Sequence, residues 1–340
     1  MSHAGSFSAL VACGDTDRIN AIISAVLTLD EGQLPANGTP PSLTTLTQHL
    51  PTPPLSTPIL PPIISERRLS VFRTLFSTST PKGASALAQG VLAGRFALVR
   101  LMLEAGRDCS LVSARTPSGH SLLEFAASAG SVSIATLLLY AGSTTDYWSA
   151  AREGERRSLV ACWRKMRQSL LVDNRSAANE PGRVRSGSNV IPMGGSRGRE
   201  AAALASLLDA RGYRGKRPVH AAVANNQPLL LVLLCSLAAD PARSTSIRDD
   251  EGLTPLHKAA LKGFGDCVRI LRVFGADVSA VTEAGATAAR LAEEKAFPDV
   301  SRALVEPLDQ LTQPGELIEQ LEAILSAGGG GGAAGGFNWQ

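Results

Sequence analysis

The 340 residues are 44% hydrophobic but only 4% aromatic, with a formal net charge of +3. A core of that composition is built from Ala, Leu, Val and Ile, which suits thin stacks of small helices better than one deep centre. So small a charge points to no partner, and the five cysteines, none within four residues of another, form no C-x-x-C zinc pattern, while their odd number argues against a disulfide framework.

Residues 1–30 carry helical spacing from Phe7 to Val26 around Gly14. The first residues lack a basic stretch followed by an apolar run, so no secretory signal is read there. Residues 31–65 are proline-rich, with Pro-Thr-Pro-Pro and Leu-Pro-Pro runs. Proline fixes φ and removes backbone donors, so an extended loop is expected. Within 66–172, Leu87, Gly94, Leu103 and Gly106 recur as Leu123, Gly130, Leu139 and Gly142. Residues 147–172 and 201–212 look like eroded copies of the same unit. Between them, 173–199 mixes Arg, Ser, Asn and Gly without periodicity and reads as a basic disordered linker. Charge is uneven here: 152–217 carries net +9 and 218–340 net −6.

Residues 200–305 repeat most plainly. Gly252-Leu-Thr-Pro-Leu-His-Lys-Ala-Ala-Leu-Lys-Gly263 is followed by an apolar stretch and Gly275-Ala-Asp, and the phrase restarts at Gly285. A period near 33 signals a solenoid of helix pairs. Thr254 and Thr287 stand where a side-chain oxygen caps a helix, Pro255 suits the first helical position, and Gly263 suits its end. Pro228 to Ala239 is apolar but far short of the roughly 20 residues a membrane span needs, so it reads as a buried helix. Residues 306–327 form an acidic amphipathic helix, with Leu317, Ile318, Leu321, Ile324 and Leu325 on one face. Two readings stand for it: a polar cap on the last repeat, or a helix for a partner's groove. Residues 328–340 are a Gly-rich tail bearing Phe337 and Trp339.

The Thr254-Pro255-Leu256-His257 phrase strongly resembles the ankyrin repeat, whose signature is T-P-L-H-x-A-A-x-x-G followed by G-A-D. Arg217-Pro218-Val219-His220 is a partial copy, and Gly119 to Gly142, Gly83 to Gly106 and Phe7 to Val26 are weaker ones. The resemblance implies an all-α solenoid of about six to seven stacked helix-turn-helix repeats, several degenerate, with insertions. It also implies a non-enzymatic scaffold or adaptor for protein partners, monomeric alone, in the cytoplasm or nucleus, with no membrane attachment. Family partners lie across hairpin tips and the inner face of the first helices. Mapped here, the tips offer Arg115, Arg248, Asp250 and Glu283, and the inner face offers Gln89, Phe125, Lys258, Leu261 and Lys262. Phe125 serves as a contact hot spot or packs on its neighbour.

Catalytic patterns are weak. The family position of His220 and His257 implies hydrogen bonds to backbone at repeat junctions rather than a shared site. Gly119-His120-Ser121-Leu122-Leu123 lacks the closing glycine of a nucleophile elbow, and Gly215-Lys216-Arg217 lacks the residues of a P-loop. No catalytic, cofactor or metal residue is expected. Arg183-Val-Arg185-Ser186-Gly-Ser188 fits a basophilic kinase site, which makes Ser186 and Ser188 regulatory candidates. The basic segment 152–217 keeps a second function class open, a nucleic-acid-associated or nuclear regulatory protein.

Overall fold

A computed structural model describes residues 7–30, 32, 34, 64–77, 85–106, 109–113, 115–116, 119–143, 159–178 and 195–326. They are helical, without a strand, and carry isolated antiparallel bridges at Arg115–Ser121 and Val281–Thr287. The Pro-rich segment from 35 to 63, the Gly-rich tail, and Ser186 and Ser188 lie outside the described residues. The chain divides into two units, 1–122 and 123–340.

In the first unit, α1 (Phe7–Cys13) turns into α2 (Thr16–Thr28), and α4 (Ala86–Leu92) turns into α5 (Phe96–Gly106). Both turns place a glycine in the left-handed region, Gly14 at φ +78 and Gly94 at φ +66. Side chains disfavour that region, so glycine is the residue that closes a helix this way. Asp15 and Ser85 cap the following helices, accepting from the Arg18 and Ala88 N–H groups. α1 packs on α4. Helix α3 (Glu66–Ser77) packs against α1, α2, α4 and α5. Its Phe72 and Phe76 are fully buried and stack at 5.7 Å, with Phe7 at 5.8 Å from Phe76. A short α6 (Cys109–Ser113) packs on α3.

The second unit has two rows. α7 (Leu122–Ala129), α11 (Pro218–Ala224), α14 (Pro255–Lys262) and α16 (Ala288–Glu294) are the first helices of four pairs. Their second helices are α8 (Val132–Ser143), α12 (Pro228–Ser236), α15 (Gly265–Val273) and α17 (Pro298–Val305). Each pair closes through a left-handed residue: Gly130, Asn226, Gly263 and Ala296. Along the rows α11 packs on α14 and α14 on α16, while α12 lies between α8 and α15, and α15 packs on α17. Most of the buried side chains are Ala, Leu, Val and Ile, as low aromatic content requires. The bulk of the stabilisation is their burial, at about 1.5–3 kcal/mol for each fully buried Val, Leu or Ile.

The segment expected to hold eroded repeats and a linker is different. Helix α9 (Leu159–Ala178) runs unbroken past residue 173, and α10 (Gly195–Leu208) begins before residue 200. Val160, Trp163, Met166 and Leu170 recur at helical spacing and are buried, a stripe that the basic composition hides. α9 and α10 pack on α8 and on each other. Because Ser128 and Asn225 meet across α7 and α11 at 3.5 Å, α9 and α10 are an insertion between neighbouring pairs.

The C-terminal helix α18 (Pro314–Ser326) docks on its own chain rather than capping the last pair. It packs on α12 and α9 of its own chain, away from the terminal pair. The reason is legible in both places. α16 already turns Arg290, Glu293 and Glu294 to solvent, although Val305 at the end of α17 stays 80% exposed, so the end of the stack is largely polar. α12 is apolar on all sides, with Leu230 to Cys235 buried, and its outer flank needs one.

Candidate interaction surface

Each repeat junction is built from a tight turn. In the turn from Asp249 to Leu253 the Gly252 N–H donates to the Asp249 carbonyl at 3.0 Å, and the Asp249 N–H donates to the Leu253 carbonyl at 3.0 Å. The same pair of bonds recurs at Gly212–Lys216, Thr282–Ala286 and Thr116–His120. Gly215, Gly252, Gly285 and Gly119 hold the left-handed position of these turns. Such turns project side chains past the helix ends, which makes them the tips of the stack.

Histidines and carboxylates behind the tips are consumed by the fold. His257 Nδ1 accepts from the Thr254 N–H at 3.2 Å, and Nε2 donates to the Ala280 carbonyl of the next repeat at 3.0 Å. His220 does the same between the Arg217 N–H, at 3.3 Å, and the Leu253 carbonyl, at 3.3 Å. The carbonyl partner fixes the proton on Nε2 in both rings. Burial, with the Lys258 charge nearby, lowers His220 to about 4, and burial also lowers His257. Both rings are therefore neutral joints between repeats.

Asp249 has the same purpose. One oxygen accepts from the Glu251 and Leu253 N–H groups, each at 3.0 Å, and the other meets Lys258. Burial pushes the Asp249 carboxyl up, but the hydrogen bonds from Lys258 and the Leu253 N–H outweigh it and hold the group below its ordinary range. Lys258 is thus withdrawn from the inner face on which the sequence placed it: it is 7% exposed and ion-paired. The repeat pattern marks its position on the helix but cannot show that Asp249, nine residues earlier, folds back over it.

The other candidates lie as follows. Lys262 is exposed, but its Nζ donates to the Ala224 carbonyl at 2.6 Å, where it satisfies the end of α11. Leu261 and Phe125 are half-buried on α14 and α7, and Gln89 is half-buried on α4. Arg115 is exposed beside its bridge to Ser121. Arg248 is exposed and donates to the Gly252 carbonyl at 3.2 Å. Asp250 is exposed, pairs with Arg211, and donates its N–H to the Arg214 carbonyl at 3.2 Å. Glu283 is exposed and lies over Gly252, where an added Cβ would come within 2.7 Å of it. Asp250 and Arg248 therefore share one tip, Glu283 folds onto that tip from the next, Leu261 lies on the helix that this tip leads into, and Phe125 belongs to another pair. Sequence reasoning offered Tyr213 only as a stacking surface for nucleic acid and not as a tip contact, yet it is 43% exposed at the neighbouring tip with Arg214 5.3 Å from its ring centroid. An aromatic between two arginines in a Gly-x-x-Gly turn is the signal that could have found it.

Residues 219–313 match the family described as ankyrin repeats, in three copies. Among curated proteins, human protein phosphatase 1 regulatory subunit 27 is 41% identical over 54 residues, which is 16% of this chain and 35% of that protein. The chain thus spans about a third of the length of this relative.

Proposed function

We propose that this chain, an ankyrin-repeat protein over residues 219–313, is a non-enzymatic adaptor that holds protein partners on its turn tips and inner helix ends. One observation carries the reading. The buried His220 and His257 are spent on bonds to the next repeat, and the buried Asp249 and Lys258 on each other within one repeat, so the chemistry left on the outside is that of contact rather than catalysis. Arg248, Asp250, Glu283 and Tyr213 supply the tips, and Phe125, Leu261 and Gln89 the inner face. The left-handed closures at Gly14, Gly94 and Gly130 support extending the repeat array beyond 219–313, toward six repeats with α3, α9 and α10 as additions. A relative that is by its name a regulatory subunit supports an adaptor role. Cytoplasmic or nuclear residence and a monomeric state belong to the same proposal, as does regulation at Ser186 and Ser188. No helix among the described residues is long and apolar enough to cross a membrane.

The nucleic-acid reading of 152–217 gains less. Arg164 pairs with Glu322, Arg217 with Asp209, and Lys165 donates to the Tyr140 hydroxyl at 3.4 Å. Arg164 and Arg217 already neutralise the protein's own carboxylates, and Lys165 is engaged by a neutral hydroxyl.

The test is affinity capture with quantitative mass spectrometry, comparing wild type with Phe125→Ala and with Arg248→Glu, each checked by circular dichroism. Loss of the same set of proteins from both variants is expected. Equal recovery by all three baits rejects the tip and inner-face assignment.

A further inference from the structure

Helix α18 stands outside the ladder of repeats. After the terminal pair the chain runs through Glu306–Gln313 and returns to α12 and α9. Its Leu317, Ile318, Leu321 and Leu325 are buried, at the i, i+3/i+4 and i+7/i+8 spacing by which an amphipathic helix reads a groove. Its charged residues are Glu316, Glu319 and Glu322, with no Lys or Arg. The surface beneath it has the complementary character. α12 contributes an apolar flank, and α9 borders it with exposed Arg164, which reaches Glu322 at 3.1 Å. A greasy strip with a cation at its edge suits an acidic amphipathic helix.

Two features make that occupant exchangeable. Pairs α11–α12, α14–α15 and α16–α17 stack directly on one another, so α18 is no rung of the ladder. Beyond its apolar contacts, α18 is joined to α9 by an ion pair that is solvent-exposed, with side-chain accessibilities of 65% and 27%, and pairs of that kind hold weakly.

We propose that the α9–α12 face is a docking groove for acidic amphipathic helices, that α18 is its resident ligand, and that a partner helix of the same pattern displaces it. The groove is distinct from the tips and inner helix ends, so its failure leaves the adaptor reading standing.

The experiment uses the full chain carrying Leu317→Asp and Leu321→Asp, which prevents α18 from docking. A fluorescein-labelled peptide of residues 313–326 is titrated against it and against wild type by fluorescence polarisation. The undocked chain is expected to bind at least about tenfold tighter, because wild type must first release its own helix. A Glu322→Arg peptide should bind more weakly and recover on an undocked chain that also carries Arg164→Glu. Equal affinity for the two chains, or indifference to the charge swap, overturns the proposal. Hydrogen exchange on wild type gives a readout free of any folding defect. Amides of α18 should exchange through an opening not shared by α14 and α15, and exchange of all three together would make α18 a permanent part of the fold.

Discussion

Lys258→Met separates a structural lysine from a binding one. Methionine keeps most of the stem packing and removes the ammonium, leaving the Asp249 carboxylate buried without its counter-charge; the side chains are 9% and 0% exposed. Removing one partner of a buried pair costs about 3–5 kcal/mol. Here the Glu251 and Leu253 N–H groups still bond the carboxylate, so a loss near the lower end, about 3 kcal/mol, is expected. Asp249→Asn in the same chain removes the stranded charge while keeping an acceptor, and should restore part of the loss, giving a coupling of about 2 kcal/mol in the double-mutant cycle. The wild-type carboxyl sits below its ordinary 3.8. Its contribution is therefore complete above that pH and fades as pH falls below it, so wild type and Lys258→Met should converge in acid. Urea unfolding and the exchange protection of the Glu251 and Leu253 amides measure the effect. A change within about 0.5 kcal/mol, the scale of an ordinary surface substitution, or strictly additive mutations, would refute the account.

His220 gives a second pH dependence. Its folded value of about 4 lies below the ordinary 6.5, so the unfolded chain takes up the proton first. The stabilisation is full above 6.5 and falls by roughly 3 kcal/mol as pH drops to 4, and the urea midpoint of His220→Gln should depend less on pH across that window. At Ala296, φ is +56 and the site is exposed. Ala296→Gly should raise stability by about 0.5–1 kcal/mol, seen as a higher Tm, because glycine removes the left-handed penalty. Gly263→Ala should lower it by about 1–2 kcal/mol, since φ is +78 and the new Cβ would approach Phe297 at 2.9 Å.

Much of the repeat fold was legible in the chain because its signals are local. A capping Thr254, Pro255 at the first helical position, Gly263 at φ +78 and the stripe of Val268, Ile270 and Leu271 each act within one turn of a helix. The junction histidines were legible through the family resemblance of their positions, although the carbonyls they reach, 33 and 23 residues on, are brought to them only by the fold. Tertiary structure alone decided what lies across space. Lys258 belongs to the core because Asp249 folds back upon it. α9 is a buried helix because Trp163 and Met166 find α8, α10 and α18 to cover them, although the segment is basic by composition. α18 returns to α12 because an all-apolar helix leaves a flank that water disfavours, while α16 of the last pair already turns Arg290, Glu293 and Glu294 outward. Helix period and capping depend on neighbours in sequence, whereas burial and charge pairing depend on neighbours in space, and only the folded chain brings those together.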